Sequence, residues 1–542
     1  MTESNAKPSR SAHPQFQAVS LSLADLCGEP YIRALCSNRA FLTGQDASAL
    51  IEIATQPVEF FPIAFEQRLH QLLRQVGQRV GTPLTTTPRG ASTDPFERHT
   101  KVEMAPLSAL GYFRLGENGT LYLTTKSEHY HASLGHSFPG YALIDRARQL
   151  GIPNATHNNT RGFITRRLEE ELIAWANGID PADAGALAAV RDSSSPHVIN
   201  RVLNLETGSL AAEAALKLVL ARFYRSDESM PFPKYHGRIP VILVLGNDGG
   251  GLKANYHGTT MLTQMMRGMW PEFYSTFQDR GLRVVPIRPN SLADLEAAFS
   301  RYERDDFKLA AFFHEIVMMN YGGRLLSREF LRRAYELCDQ HDVATVADEI
   351  QSCLWAPGFF LFREYGLRPS LVAVGKGFPG GEYPASRILF SAPFDALEQF
   401  GALVTNGQEE LAALAYLITM RWATANRHVT AEIGDYYYSR VQELAGEFSG
   451  LLVGIDGYRH MTCLRFGDTR IASGFAKLLV ERGFDISAQT YKRDFSPSVL
   501  TKLPLIAGVG VVDFVIECLR GALRDLDRGT ACIPAASSAG PL

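Results

Sequence analysis

Two short apolar, β-branched runs, Val343 to Ala347 and Leu371 to Val374, read as buried strands, and each ends at a charged residue. Asp348 closes the first, in Val-Ala-Asp-Glu-Ile-Gln. Lys376 closes the second, 28 residues on, in Val-Gly-Lys-Gly-Phe-Pro-Gly-Gly. The two runs belong to a longer alternation. From about residue 160, helical patterns (Gly162 to Gly178, Leu210 to Tyr224, Ser291 to Arg301, Ser327 to His341) interleave with strand patterns (Ile239 to Leu245, Leu282 to Ile287, Leu309 to Phe313). Ser327 is placed to cap its helix. Such alternation predicts an α/β fold, a largely parallel sheet covered by helices on both faces.

The chain is long enough, at 542 residues, for a large core and more than one domain. Boundaries fall by pattern. Residues 1–110 form an N-terminal extension, polar and disordered at its start, with one amphipathic helix expected over Phe65 to Val80. Residues 111–160 form an entrance region belonging to a small domain. Residues 161–400 form the large domain, 401–527 a linking helix and a smaller α+β domain, and 528–542 a disordered tail rich in Ala, Ser, Gly and Pro. A net charge of −3 gives no electrostatic case for nucleic acid or a membrane surface. No apolar run is long enough to span a bilayer, and the start carries no signal-peptide pattern. Seven cysteines without CxxC spacing point to a reducing cytoplasm and away from a zinc site. The triplet His129, His131 and His136 is read as loop histidines of the entrance region, so no metal is expected.

Parallel sheets place ligands at the carboxyl ends of their strands. A carboxylate and a lysine at neighbouring ends suit a pyridinium cofactor held from two sides, the carboxylate at the ring nitrogen and the lysine at the aldehyde. That cofactor is pyridoxal 5′-phosphate (PLP). Gly208-Ser209, opening an Ala-rich helix, would offer backbone N–H groups to a phosphate. Tyr256, in Tyr-His-Gly after a glycine cluster, would stack on a flat ring. Singly, each is explained as well by a helix cap, a core aromatic or a solvated loop lysine. It is their combination that carries the reading.

The same segments resemble a known family. Thr207-Gly-Ser-Leu-Ala-Ala-Glu-Ala-Ala-Leu-Lys217 is similar to the NSGSEANEAALK segment of class III aminotransferases, in fold type I of PLP enzymes. Tyr256-His-Gly258 resembles their YHG element, Glu315 the glutamate of EPxQG, and Ala347-Asp-Glu-Ile-Gln351 their ADEVQ. Gly375-Lys-Gly377 resembles the lysine loop, Thr405-Asn-Gly-Gln-Glu-Glu-Leu-Ala412 stands where they carry TFGGNPLA, and Gly135-His136 with Pro139 is similar to GHxxP. The resemblance, over roughly 115 to 525, implies a mostly parallel seven-stranded sheet and a smaller C-terminal domain. It implies that Lys376 carries the cofactor as a Schiff base and shuttles the proton, and that Asp348 pairs with the ring nitrogen. Gln351 would contact the ring 3-hydroxyl side, Gly208 and Ser209 the phosphate, and Tyr256 the ring face. Thr405 would reach the phosphate of a neighbouring subunit, making a homodimer with shared sites. Glu315 would orient a substrate group or His257.

The departures lie where substrate is handled. The segment Val499-Leu-Thr-Lys-Leu-Pro504 has Thr501 or Lys502 where the family carries a carboxylate-binding arginine, and neither offers a guanidinium fork. Arg387, Lys492 and Arg493 are the substitutes at hand. The glutamate segment lacks its proline and glutamine, and TGFGRTG is replaced by Ser352-Cys-Leu-Trp-Ala-Pro-Gly358. Transamination of a small amino-group substrate, with a biosynthetic role, is the leading expectation. Elimination, replacement, C–C bond formation or racemisation is the alternative, and a non-catalytic PLP-binding protein the third.

Overall fold

The structure, a computed structural model, describes residues 14–125, 132–154, 158–246, 270–304, 306–399, 401–402, 404, 407–490 and 495–529. Seven strands build the central sheet: β1 (Ile199–Leu205), β2 (Ile239–Leu245), β3 (Arg283–Ile287), β4 (Phe307–His314), β5 (Ala344–Asp348), β6 (Leu371–Val374) and β7 (Ser386–Ser391). Their spatial order is β1-β7-β6-β5-β4-β2-β3. β7 alone pairs antiparallel with both of its neighbours; β2 with β3 and β4, and β5 with β4 and β6, pair parallel. Six strands therefore deliver their carboxyl ends to one edge. The α/β class and the mostly parallel sheet expected from the alternation are what the structure has.

The strand residues are buried on both faces, in two apolar layers. One layer packs Ala211, Ala214, Ala215 and Leu218 of the helix Gly208–Leu220 against Ile242, Val244, Val346 and Ile388. Alanines let that helix lie close to the sheet. The other layer includes the apolar stretch Leu411–Ile418 of a helix spanning Glu410–Glu447. The Ser327 hydroxyl accepts the Phe330 N–H at 3.1 Å and caps Arg328–Gln340, as the sequence predicts.

The N-terminal helix is shorter than its periodicity suggests, ending at Leu73. Gly77 explains the stop. Its φ is +81° and a Cβ there would lie 2.7 Å from the Arg482 carbonyl, so close backbone contact with the C-terminal region overrides the helical pattern. The segment after Asp348 also departs from a helical crossover, with only Leu361–Glu364 helical. Phe16 and Phe61 of the extension pack on Trp422 of the long helix at 5.3 and 6.3 Å between ring centroids. Strands Pro106–Leu110, Phe113–Gly116 and Leu121–Thr124 join Phe484–Asp485 in one sheet, which ties residues 106–124 to the C-terminal region. There a second four-stranded sheet holds Leu452–Tyr458, Met461–Phe466, Ser498–Lys502 and Ala488–Gln489. Among the described residues no helix is long and apolar enough to cross a membrane.

Candidate active site

Three neighbouring strands set the floor of one cavity. Glu315 follows the last residue of β4, Asp348 ends β5, and Lys376 lies two residues beyond β6. Register fixes their order across the sheet: Ala347 sits opposite His314 and Asp348 opposite Ala373. β1 ends at Leu205 on the same edge, so Glu206, Thr207, Gly208 and Ser209 reach the cavity from the side. Its volume is about 460 Å³, and Asn320, Ile350, Gln351, Tyr383, Pro384 and Ser386 complete much of the lining.

Each part has a local cause. Thr207, in extended conformation, accepts the Leu210 N–H through its hydroxyl and starts the helix, so Gly208 and Ser209 are its first two residues. Lys376 has φ +44°, a left-handed conformation that costs a non-glycine residue about 1–3 kcal/mol. Tight packing on both sides enforces it. A Cβ on Gly375 would lie 2.2 Å from Ser386 Oγ, and one on Gly377 would lie 2.9 Å from the Trp355 ring. The Ser133 hydroxyl holds the Gly377 carbonyl at 2.6 Å. Asp348 accepts the Ile350 N–H at 3.0 Å.

Burial decides the electrostatics. Glu315 is 4 % exposed, and loss of water pushes its carboxyl well above the ordinary range. The Asp348 charge adds to the rise, while Lys376 and, less strongly, Lys502 oppose it. One of its oxygens accepts the Met319 N–H; Oε2 has no hydrogen-bond partner among the described residues. Gln351 Oε1 is buried and unpartnered in the same sense. Glu349, next to Asp348, points away. Burial raises it to about 7, against hydrogen bonds from the Ser352 hydroxyl and the Phe362 N–H. Cys353, fully buried under Gly375, is pushed up to about 12 by desolvation and stays a thiol.

Six of the expected site residues thus meet at one cavity: Lys376, Asp348, Gln351, Gly208, Ser209 and Glu315. Tyr256, His257 and Thr405 lie outside the described residues, as do His129, His131, Lys492 and Arg493. Of the described residues considered from sequence at the carboxylate end, Thr501, Lys502 and Arg387, none is part of the cavity lining. Thr501 Oγ1 is tied to the Tyr437 hydroxyl at 2.5 Å and the Thr462 carbonyl at 3.1 Å. Lys502 donates from Nζ to the Gln351 carbonyl at 2.5 Å and sits 3.8 Å above the Trp355 ring. Arg387 is fully buried against Tyr416, donating to the Leu205 and Ser386 carbonyls. His136 is bridged through its backbone to Gly111. Tyr383, Ser386 and Asn320 are lining residues that the sequence reading leaves out. Ser386 opens the apolar run of β7 and is visible in that pattern, whereas Tyr383 and Asn320 sit in segments without periodicity.

A family model described as aminotransferase class-III matches residues 109–447, well over half of the chain. The chain belongs to the class III aminotransferases. An acetylornithine aminotransferase of Synechocystis sp. is 26 % identical over 336 residues, 60 % of this chain and 72 % of the relative. An ornithine aminotransferase of Emericella nidulans is 38 % identical over 197 residues, 35 % of this chain and 40 % of the relative. Among solved structures, the ornithine aminotransferase from Toxoplasma gondii matches with a TM-score of 0.62 at 18 % identity, over 80 % of this chain and 93 % of that one. That match shows the fold type I architecture. A class III aminotransferase is PLP-dependent, and the residues present fit that cofactor. The cavity has room for a phosphorylated pyridine, a helix N-terminus with a glycine at one side, and a carboxylate and a lysine at adjacent strand ends. The buried, unpartnered oxygens of Glu315 and Gln351 mark it as built to receive a polar ligand.

Proposed function

We propose that this aminotransferase works as a cytoplasmic homodimer on a small amino-group substrate of biosynthetic metabolism, with Lys376 and Asp348 as its catalytic residues. The carrying observation is the placement of both side chains and the Gly208-Ser209 helix start around one cavity. The activities of relatives (acetylornithine, ornithine and putrescine aminotransferases) support an amine carried at the end of a short chain. Six described cysteines without disulfide partners support the compartment. We retain the unit boundaries near 110, 160, 400 and 527 on the same footing.

When bound, PLP supplies an aldehyde for the substrate amine and an electron sink for the charge left when the Cα proton departs. Lys376 Nζ would take that proton and give it back to the cofactor carbon, acting as base and then as acid. Asp348, which accepts the Ile350 N–H, would offer its negative charge to the ring nitrogen. Gly208 and Ser209 hold the phosphate with the positive end of their helix. Gln351 faces the ring hydroxyl. Thr405 of the neighbouring subunit and Tyr256 complete the cofactor contacts.

Mass analysis of the bound cofactor tests this after mixing the holoenzyme with a panel of amines and amino acids, no acceptor added. Conversion to pyridoxamine phosphate is expected and names the donor. Retained PLP with solvent deuterium appearing at Cα would assign elimination, replacement or racemisation instead.

A further inference from the structure

We propose that a second cavity, walled by Pro357 and Gly358 of the loop after Asp348, is a binding site for a small phosphorylated anion, a phosphomonoester. The site is separate from the catalytic cavity and independent of which amine the enzyme uses.

This cavity has a volume of about 610 Å³, larger than the catalytic one at about 460 Å³. Three segments converge on it: the end of the helix Phe163–Asn177 with the turn that follows, the loop after Asp348 with Arg363, and one turn of the long helix Glu410–Glu447. Pro357 and Gly358 belong to the stretch that stands in place of the family's TGFGRTG. None of Ser352 to Gly358 is part of the catalytic lining, so that departure finds no use there.

The cavity presents cations that the protein leaves without anions. Arg363 is half-buried, and its Nη1 donates to the Trp175 carbonyl at 3.0 Å. Its guanidinium lies between two glycines. A Cβ on Gly178 would sit 2.1 Å from Nη2, and one on Gly358 would sit 3.4 Å from Nη1. Burial lowers the pKa of Arg363 with no carboxylate acting against it, so the charge is partly desolvated and uncompensated. Arg427 also faces the cavity, and its Nε–H donates to His428 Nε2 at 3.3 Å. That bond leaves the proton of a neutral His428 ring on Nδ1, a further donor. On the same long helix Arg421 and Arg440 both meet carboxylates, Glu171 for the first and Glu443 and Asp513 for the second. Trp175, in the same lining, has a buried indole N–H without an acceptor among the described residues. Asp180 is the acid of the described lining, and one of its oxygens takes the Ala182 N–H. Two guanidinium groups therefore face one carboxylate.

The chemistry of the ligand follows from this arrangement. Guanidinium groups from two different segments offer N–H forks from two directions, which suits the several oxygens of a phosphate better than one planar carboxylate. The volume exceeds what a bare ion fills, and Ile179, Pro181 and Pro357 give an apolar wall for an organic remainder.

Calorimetry on the holoenzyme tests this, with inorganic phosphate and phenyl phosphate as probes and sodium chloride holding the ionic strength constant. Each probe should bind once per chain, the phenyl ester more tightly, while the absorbance of the bound cofactor stays unchanged. Arg427→Gln should weaken both probes by about 10- to 100-fold, the range of one hydrogen bond to a charged group. Arg427 is exposed and its hydrogen bond goes to its neighbour in sequence, so this variant should fold. Arg440→Gln removes the same charge from the same helix at a paired position and should leave both affinities as they are. Equal weakening by the two variants would reduce the binding to diffuse charge and overturn the proposal. The wild-type measurements decide even without a variant: no binding, loss of cofactor as phosphate is added, or a phenyl ester that binds no tighter than the ion each overturns it.

Discussion

Two layers of the site, one lining the cavity and one behind it, hold charge in opposite ways. The wall made of strand ends sets Glu315, Asp348 and Lys376 in the cavity lining, with the two carboxyl groups and the ammonium acting on one another. A second wall, the C-terminal strand Ser498–Lys502 packed behind the loop after Asp348 and outside the cavity lining, does the reverse. Lys502 is as buried as any of them, at 1 % exposed, yet its ammonium is spent on a carbonyl and an aromatic face. A charge near a site is not a charge available to the substrate. What separates the two walls is whether the charged group is part of the cavity lining.

The largest expected effect is on the first wall. Lys376→Ala should lower turnover by about three orders of magnitude or more, the scale of a positioned acid–base group, and remove the covalent cofactor absorbance while leaving a folded chain. A variant that turns over at the wild-type rate would remove Lys376 from the chemistry. Asp348→Asn should come next, at about 10²- to 10³-fold in kcat, because the amide keeps the shape but loses the charge. Cofactor binding should suffer less than the rate of Cα-proton exchange. If exchange is unchanged while affinity collapses, Asp348 anchors the cofactor and does not tune it.

The first wall was legible because its residues announce themselves locally. Asp348 and Lys376 close apolar runs, and Gly208-Ser209 open a helix, so short windows of sequence place them on the edge that binds ligands. The second wall depends on contacts between distant segments. Lys502 meets Gln351 across 151 residues, and Trp355 Nε1 bonds the Leu503 carbonyl across 148. No periodicity reports such a pairing. From sequence Lys502 is only a residue at the position of the family's arginine, without its fork, and the fold reveals it as an internal pin. The helix ending at Leu73 fails for the same reason, since Gly77 answers to Arg482.

A substitution on the second wall sharpens the contrast. Lys502→Met keeps an unbranched apolar stem and removes the ammonium from both the Gln351 carbonyl and the Trp355 ring. The expected result is a stability loss of about 1–3 kcal/mol, seen as a lower urea midpoint, with a smaller effect on kcat than Asp348→Asn. If stability holds and KM for the substrate rises tenfold, Lys502 reaches the ligand after all and the two walls are alike.

The smallest effect concerns a group buried behind that wall. His460 is 1 % exposed, and neither ring nitrogen has a hydrogen-bond partner among the described residues. Burial lowers it to about 3, with Arg459 and Lys502 adding repulsion. Its folded pKa lies below the unfolded value near 6.5, so its stabilising contribution is intact above pH 6.5 and is lost as pH falls toward 3. Below pH 6.5 the unfolded chain binds a proton there that the native chain refuses, which costs roughly 1.4 kcal/mol per pH unit. Glu349 works against this over part of the range. Raised to about 7, it favours the fold when protonated and loses that contribution as pH rises from about 4.5 through 7. The wild-type profile alone will therefore look flatter than either group would make it. Comparison with His460→Leu isolates the histidine. The stability of the variant relative to wild type should rise by roughly 1.4 kcal/mol for each pH unit below 6.5. A pH-independent difference would mean that His460 takes up its proton in the folded state, and that the region behind Lys502 is open to water.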